Sequence, residues 1–414
     1  MGNIVNGVAK SIVRTVKDIR ATYYIKKVRK LNYETKKIIK VAFIVFEPES
    51  WDKLQPVYEE MVVRENFEPQ LILIPSYDDT LSLEKKYGYE KEFFEKKYGK
   101  VLLAYDDNGM LIDLEKYGFD YVFYQDPYNA HYPKGIDSNS VVRYAKVCYI
   151  PYGYTISKNF SNLLINNRSF FRNVSIFYAE NNSVEEVMKT VFGKNYVNGI
   201  QKIECMGYPS FEEYSTWNSE GKISTITWAP RWSYDKSVGG SHFIEYKDKF
   251  LLLRKKYESL NLLFRPHPML FANMVKMGKM TEKEVAAYKK AMNDNQIQVK
   301  NKCAINDVLY KTDLLISDIS SVIPSFFMTG RPIIYCKSEM EVNIEFQEML
   351  KGIYVAESWD EVEKYISEIL AGNDPLKEIR HNIINKGMLS VHLNSKKKIV
   401  NFLIDENKSN FIGR

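Results

Sequence analysis

Short runs of β-branched and aromatic residues recur along this chain, separated by longer charged stretches with helical periodicity. Because a strand, a helix and a second strand normally form a parallel pair covered by the helix, this alternation predicts an α/β protein with parallel sheets. The predicted strands form two series. They are Ile38–Phe46, Gln70–Pro75, Tyr121–Gln125, Val147–Pro151, Val174–Tyr178 and Lys202–Met206, then Ser224–Ala229, Leu260–Arg265, Asp313–Ser317, Pro332–Tyr335 and Gly352–Ala356.

The length of 414 residues is sufficient for two domains, which agrees with the two series of strands. The polar stretch Phe211–Lys222 separates the series and is the best linker candidate. We therefore predict two Rossmann-like domains with helices at both ends of the chain. The predicted boundaries are 1–35 for a basic N-terminal helix, 36–215 and 223–375 for the two domains, and 376–414 for C-terminal helices.

Several protein classes are excluded by composition. The longest uninterrupted apolar run, Val41 to Phe46, is far shorter than the roughly 20 residues of a spanning helix or the roughly 7–15 of a signal-peptide core, so we expect the chain to stay in the cytosol. The four cysteines lack paired zinc spacing, and no two of the five histidines share the i,i+4 spacing of a helical metal pair. We expect no metal site and no protein-bound cofactor.

The net charge of +6 is concentrated at the N-terminus, where residues 1–40 carry +9 and the remaining chain carries −3. The body of the protein therefore offers no broad basic face for nucleic acid. At about 100° per residue, six apolar side chains of the first segment share one narrow sector, while Lys10, Arg14 and Lys17 lie opposite. The six are Val5, Val8, Ile12, Val16, Ile19 and Tyr23.

This segment, residues 1–35, has two interpretations. One is a helix lying on an anionic membrane surface, which would make the protein peripheral on the cytoplasmic face of the cell membrane. The other is a helix packed on the protein's own body with a solvated basic face.

A first polar motif, Arg265-Pro266-His267-Pro268, directly follows a strand of the second series, where ligands bind in open parallel sheets. The guanidinium suits bidentate contact with phosphate, and the imidazole can donate to a phosphate oxygen or carry a proton. The alternative is a proline-rich turn with an exposed histidine.

A second motif, Ser-Asp-Ile-Ser-Ser at 317–321, follows the next buried strand of that series and precedes an apolar helical stretch. Amides at a helix start and serine hydroxyls attract phosphate, whereas the alternative is ordinary N-capping. Taken together, the two motifs point to a diphosphate. Ser317, Asp318, Ser320 and Ser321 are therefore candidate donor-binding residues, together with Arg265.

The ordered set of Arg-Pro-His-Pro, Ser-Asp-Ile-Ser-Ser and then Gly330-Arg331-Pro332 resembles the CDP-glycerol glycerophosphotransferase family of teichoic acid and capsule polymerases. The sequence Trp-Ala-Pro-Arg-Trp at 228–232 is similar to a strand exit of that family. The resemblance covers roughly residues 145–390. It implies a GT-B-like fold, two Rossmann-like domains with parallel sheets facing across a cleft, with a CDP-linked donor held by the C-terminal domain.

The resemblance also implies residue roles. His267 matches the family's functional histidine near the donor diphosphate, and Ser320 and Ser321 match its phosphate-contacting serines. Arg231 replaces a threonine of the strand-exit motif and is an additional donor-binding candidate. Tyr152 stands where the family has the histidine proposed as catalytic base.

Another base is needed, because a tyrosine hydroxyl ordinarily loses its proton only near pH 10. Asp126 and His131 follow a strand of the first series, and either could accept a proton from an acceptor hydroxyl. The alternative is a turn stabilised by the Asp-Pro sequence. His242 follows a glycine-containing loop that either closes over a donor or is a simple connection.

These observations favour a transferase that moves glycerol phosphate, or a related polyol phosphate, from a CDP-linked donor to a growing lipid-linked surface polymer such as teichoic acid or capsule. Two alternatives stay open. One is a nucleotide-sugar-dependent glycosyltransferase of GT-B fold. The departures at Tyr152 and Arg231 favour it, as does Ser325, which stands where family members usually carry an aspartate after the double serine. The other is a catalytically silent scaffold in polymer assembly.

Overall fold

The computed structural model describes residues 2–31, 38–75, 83–217, 221–236, 239–300 and 303–412. The strands are β1 (Ile39–Val45), β2 (Phe67–Leu73), β3 (Leu102–Leu103), β4 (Tyr121–Tyr124), β5 (Lys146–Tyr149), β6 (Val174–Ala179), β7 (Lys202–Cys205), β8 (Thr225–Ala229), β9 (Asn261–Phe264), β10 (Gln298–Val299), β11 (Leu314–Ser317), β12 (Ile333–Cys336) and β13 (Tyr354–Ala356).

Helices occupy most of the connections between strands. They are α1 (Gly2–Leu31), α2 (Gln55–Val62), α3 (Leu83–Tyr98), α4 (Ser138–Val141), α5 (Phe160–Asn166), α6 (Arg168–Phe171), α7 (Asn182–Val191), α8 (Gly193–Val197), α9 (Phe211–Tyr214), α10 (Phe243–Lys256), α11 (Leu270–Lys276), α12 (Glu282–Asp294), α13 (Ile305–Leu309), α14 (Val322–Phe327), α15 (Ile344–Leu350), α16 (Trp359–Leu370), α17 (Lys377–Ile383), α18 (Leu389–His392) and α19 (Ser395–Ile412).

The strands form two sheets, ordered β3-β2-β1-β4-β5-β6-β7 and β10-β9-β8-β11-β12-β13. Every strand pair is parallel. The predicted α/β class with two parallel sheets is confirmed, and each predicted strand is present within a few residues of its expected bounds. The prediction missed β3 and β10, two-residue edge strands too short to leave a periodic signal.

The chain divides into two compact units. The N-terminal unit comprises residues 1–152, 160–209 and 394–414, and the C-terminal unit comprises 153–159 and 210–393. This division differs from the predicted boundaries in assigning the short segment 153–159 to the second unit and the last helix, α19, to the first. The predicted linker begins with α9, whose Phe211 and Tyr214 are buried, so that part is packed structure.

Helix α19 belongs to the first unit because a buried ion pair holds it there. The Lys146 ammonium on β5 lies 2.6 Å from the Glu406 carboxylate, and the Tyr121 hydroxyl on β4 donates to the same oxygen. Burial alone would raise the pKa of Glu406, but the Lys146 charge and these hydrogen bonds outweigh it and lower that pKa to about 2.

Helix α1 contacts the N-terminal unit through one face. Asp18 accepts two hydrogen bonds from the Arg168 guanidinium, at 3.0 and 2.8 Å, and pairs with Arg172 at 3.1 Å. The apolar residues of the docked face are Ala21, Ile25 and Val28. In the part of the chain that the structure describes, no helix combines the length and apolarity needed to cross a membrane.

Each sheet has a point where the strand order reverses. In the first sheet it lies between β1 and β4, and in the second between β8 and β11. Connections leave in opposite directions from such a pair, which opens a crevice beyond the carboxyl ends of the two strands, where ligands bind in this architecture.

Candidate functional site

The reversal point of the second sheet brings the two predicted phosphate motifs together. Strand β8 pairs with β9 through Trp228 and Phe264, and with β11 through Ala229 and Ser317. The residues that follow these three strands therefore leave the sheet side by side. The two predicted motifs thus follow β9 and β11, the strands on either side of β8 in the C-terminal unit.

The Asp318 carboxylate, directly after β11, is hydrogen-bonded to several residues of the loop that follows β8. It accepts hydrogen bonds from the Arg231 amide at 2.8 Å, from the Ser241 hydroxyl at 3.2 Å, and from the His242 amide at 3.3 Å. The imidazole Nδ1 of His242 lies 2.7 Å from the same carboxylate. Burial alone would lower the pKa of His242, but its hydrogen bond to the Asp318 anion outweighs this and raises it. These contacts fix the loop after β8 onto the end of β11.

Arg231 links the two motifs. Its Nη1 donates to the carbonyl of Ile319 at 2.6 Å, inside the second motif, and its positive charge also acts on His267 in the first. Gly239, at φ +106°, packs so closely that an added Cβ would lie 2.6 Å from the Ile319 side chain and 3.0 Å from the guanidinium. Only glycine fits both this conformation and this space.

His267 is held in a defined protonation state. Desolvation by surrounding protein atoms, with the nearby charges of Arg265 and Arg231, lowers its pKa to about 4, so the ring is neutral at pH 7. Its Nδ1 accepts a hydrogen bond from the Met269 amide at 3.1 Å, which places the ring proton on Nε2. The residue remains exposed to solvent. We call Arg231, Arg265 and His267 the basic cluster.

The serines of the second motif differ in availability. Ser320 accepts a weak hydrogen bond from the Val322 amide at 3.3 Å, and Ser321, at the start of α14, makes no side-chain capping bond. Ser317 is fully buried and donates to the carbonyls of Ala229 and Asp318. The contacts of Ser317 and Asp318 are those of positioning residues and give no support to their predicted direct contact with the donor.

The candidate base residues lie in the N-terminal unit and contact each other. Asp126 follows β4, and its carboxylate is hydrogen-bonded to Nδ1 of His131. Its other oxygen accepts from the Tyr128 amide at 2.9 Å and from the Tyr132 hydroxyl at 3.1 Å. Burial raises the pKa of Asp126 to about 7 and lowers that of His131. The side chain of His131 is 38% exposed.

A lysine that the sequence analysis did not identify lies beside this pair. Lys53 follows β1 and is fully buried, and its ammonium has no hydrogen-bond partner among the described residues. Its nitrogen lies 5.5 Å from the centre of the Tyr152 ring. We call Lys53, Asp126, His131 and Tyr152 the reversal-point cluster of the first sheet. No sequence signal marks a lone lysine after a strand.

Trp228, in the strand-exit motif, belongs to the hydrophobic core. It is fully buried and packs against Phe243, Phe250 and Phe264. Trp232 lies nearer the site, with its ring centre 6.1 Å from that of His267. Within the described ranges, no group of three or more histidine, cysteine, aspartate or glutamate residues has the arrangement of a metal site.

A comparison with protein families identifies the chain. Residues 156–366 match the CDP-Glycerol:Poly(glycerophosphate) glycerophosphotransferase family, a span of half the chain. The chain belongs to this family. The predicted family and enzyme class are therefore confirmed: the protein is a glycerophosphotransferase of the CDP-glycerol-dependent type. The matched span includes the basic cluster and both phosphate motifs.

Solved structures of similar fold cover most of this glycerophosphotransferase. The wall teichoic acid polymerase TagF is 14% identical with a TM-score of 0.55, over 98% of both chains. A UDP-GlcNAc 2-epimerase from Neisseria meningitidis bound to UDP-GlcNAc is 12% identical with a TM-score of 0.55, over 89% of this chain and 100% of that one. The epimerase from Methanocaldococcus jannaschii is 15% identical with a TM-score of 0.51, over 88% and 99%. No curated protein sequence matches the chain.

Proposed function

We propose that this glycerophosphotransferase binds CDP-glycerol at the basic cluster of its C-terminal unit and transfers glycerol phosphate to a lipid-linked teichoic acid-type polymer at the cytoplasmic face of the membrane. The observation that carries the donor assignment is a neutral histidine flanked by two guanidiniums at a strand-order reversal. Guanidinium groups and a ring N–H at a strand end are suited to contact the oxygens of an anion. A diphosphate supplies that charge.

Each donor-side residue has a role that follows from its geometry. His267 presents Nε2–H, because its Nδ1 is occupied by the Met269 amide. Arg265 and Arg231 supply charge, and Ser320 and Ser321 supply hydroxyl donors. Asp318 holds the Arg231 backbone in place and does not itself bind the donor.

The reaction is a substitution at the β-phosphorus of CDP-glycerol. An acceptor hydroxyl oxygen forms a new bond to that phosphorus, the bond to the bridging oxygen breaks, and CMP leaves with the electron pair. Negative charge grows on the leaving phosphate, and fixed donors such as Nε2–H of His267 stabilise it. The CMP phosphate takes no proton in this step.

The acceptor proton passes to the pair formed by Asp126 and His131. The Asp126 carboxylate orients the imidazole through Nδ1 and stabilises the imidazolium formed when the ring accepts a proton. This pair takes the place of the family histidine, which is Tyr152 here. Its two groups share one hydrogen bond, so they titrate as a pair.

The membrane assignment rests on helix α1. Four of the six predicted stripe residues have described side chains, and each is about 60% exposed because the helix docks through the opposite face. They are Ile12, Val16, Ile19 and Tyr23. The side chains of Val5 and Val8 lie outside the described residues. An exposed apolar stripe on a strongly basic segment suits an anionic lipid surface.

A donor-binding and turnover experiment tests this function. We expect CDP-glycerol to raise the melting temperature of the protein more than UDP-GlcNAc does, and CMP to be released only when a lipid-linked primer is present. UDP-GlcNAc is the matched control because the epimerase neighbours share the fold. Preferred binding and turnover of UDP-GlcNAc would instead support a glycosyltransferase. Failure of both nucleotides to bind would support a silent scaffold.

A further inference from the structure

The reversal-point cluster of the first sheet contains a buried cation that the proposed mechanism does not use. The Lys53 side chain is fully buried, and its ammonium makes no hydrogen bond to any described residue. Burial lowers its pKa to about 8, so the amine still carries its proton at pH 7. Its three N–H donors therefore have no acceptor among the residues that the structure describes.

A second deeply buried lysine of the same unit shows how a buried ammonium is paired with a carboxylate in this protein. Lys146 is 3% exposed, and its ammonium donates to the Glu406 carboxylate at 2.6 Å. A buried ammonium is normally paired in this way because its desolvation is otherwise uncompensated. Lys53, in contrast, has no hydrogen bond to a carboxylate among the described residues, which indicates that its acceptor is a ligand.

The position of Lys53 favours this reading. It follows β1, Asp126 follows β4, and Tyr152 follows β5, three adjacent strands at the carboxyl edge where the strand order reverses. The Tyr152 ring lies over the ammonium, is 40% exposed, and is held at its hydroxyl by one 3.2 Å contact with Tyr128.

The local charges identify the class of ligand. The carboxylates of Asp52, Asp126 and Glu47 all act on the Lys53 ammonium, so acidic groups outnumber the cation. A phosphate would be repelled there, whereas a neutral hydroxyl can accept from the ammonium and donate to a carboxylate. Two neighbouring hydroxyls of a polyol could therefore contact the Lys53 ammonium, which only donates, and the nearby carboxylates, which accept.

We propose that Lys53 binds a hydroxyl of the acceptor polyol next to the attacking one, so that the cluster selects a terminal vicinal diol. This inference rests on the proposed function, since it concerns the acceptor of the same reaction. Lys53 donates to the neighbouring hydroxyl oxygen, and the pair of Asp126 and His131 takes the proton of the attacking hydroxyl. Lys53 itself exchanges no proton.

The test compares two synthetic lipid-linked primers, one ending in glycerol phosphate and one ending in propane-1,3-diol phosphate, which lacks the neighbouring hydroxyl. We expect wild-type protein to prefer the glycerol primer by about 100-fold in kcat/KM, the usual effect of losing one hydrogen bond to a charged group. Lys53→Met is expected to lower kcat/KM for the glycerol primer by a similar factor and to abolish the preference. Its affinity for CDP-glycerol is expected to be unchanged.

Lys146→Met is the matched control, since it removes a buried lysine of the same unit. We expect it to lower the melting temperature but to preserve the preference for the glycerol primer. Equal use of both primers by wild-type protein, or a full preference in folded Lys53→Met protein, would overturn the inference even if Lys146→Met fails to fold. If either of these results is obtained while wild-type protein still binds CDP-glycerol and releases CMP, the proposed function stands and only the inference about Lys53 fails. If wild-type protein neither binds CDP-glycerol nor releases CMP, the proposed function and the inference both fail.

Discussion

His267 illustrates how a residue's chemistry depends on neighbours that the sequence does not reveal. The sequence predicted a histidine beside a diphosphate, which could act as an acid, a base or a hydrogen-bond donor. In the structure the ring is a neutral donor, because desolvation and the charges of two guanidiniums lower its pKa and a backbone amide occupies Nδ1. The Met269 amide thus determines the tautomer, with the ring proton on Nε2.

We predict that His267→Ala lowers kcat by about 10²–10³, the usual loss for one donor to a developing oxyanion. His267→Gln should recover part of that loss, since its amide also donates. His381→Ala, in the same unit, serves as control and should be near wild type. Steady-state CMP release measures the effect, and a change under threefold in His267→Ala would remove this residue from the mechanism.

Asp126 gives a pH prediction with a definite sign. Burial raises its pKa to about 7, against about 4 in an unfolded chain, so the folded state favours the protonated carboxyl. The resulting stabilisation is complete below about pH 4 and is lost as the pH rises through 7. Relative to Asp126→Asn, wild-type protein should therefore lose stability between pH 4 and 8, by an amount on the order of a few kcal/mol. Denaturant unfolding at several pH values measures this, and a constant difference would contradict it.

The residues found from sequence share one property: they directly follow strands with strong apolar patterns. Arg265, His267, Ser320 and Ser321 were predicted in this way, and the parallel topology brings the strands that they follow to one edge of the sheet. The pairing of His242 with Asp318 joins residues 76 positions apart, and the burial of Lys53 depends on packing after β1. Such contacts leave no periodic pattern, so sequence reasoning assigned His242 only to a loop and missed Lys53.

At the level of elements, the predicted N-terminal helix is present as α1, and the surroundings of its apolar stripe support the membrane proposal. The docked face uses Ala21, Ile25 and Val28, while the stripe points to solvent. We predict that Ile12→Ser with Val16→Ser and Ile19→Ser abolishes sedimentation with phosphatidylglycerol vesicles. Val63→Ser, at a valine 76% exposed elsewhere in the unit, is the control. Unchanged sedimentation of the triple variant would refute the membrane assignment.

Helix α19 provides a stability test of its buried anchor. Glu406→Gln leaves the Lys146 ammonium buried without its anion, and we expect a loss of about 3–5 kcal/mol in the free energy of unfolding. Replacing both partners, as in Lys146→Met with Glu406→Met, should restore most of that stability because no charge is then left buried. Thermal and denaturant unfolding measure both. Equal destabilisation by the single and double variants would show that the pair does not act as described.

On the scale of the whole molecule, two successive strand series predicted two sheets but not the route of the chain. Segment 153–159 is grouped with the second unit and residues 394–414 with the first, so the chain passes between units four times. Helix α19 follows the second series of strands in sequence but contacts the first unit through the pair of Lys146 and Glu406. The two residues are far apart in sequence, and no sequence pattern predicts that they pair.

A crystal structure of the protein soaked with CDP-glycerol tests the proposed donor site most directly. We predict the diphosphate at the carboxyl edge of β8, β9 and β11, with an oxygen within about 3.2 Å of Nε2 of His267 and others near Arg231 and Arg265. A nucleotide bound elsewhere, with the basic cluster unoccupied, would contradict it.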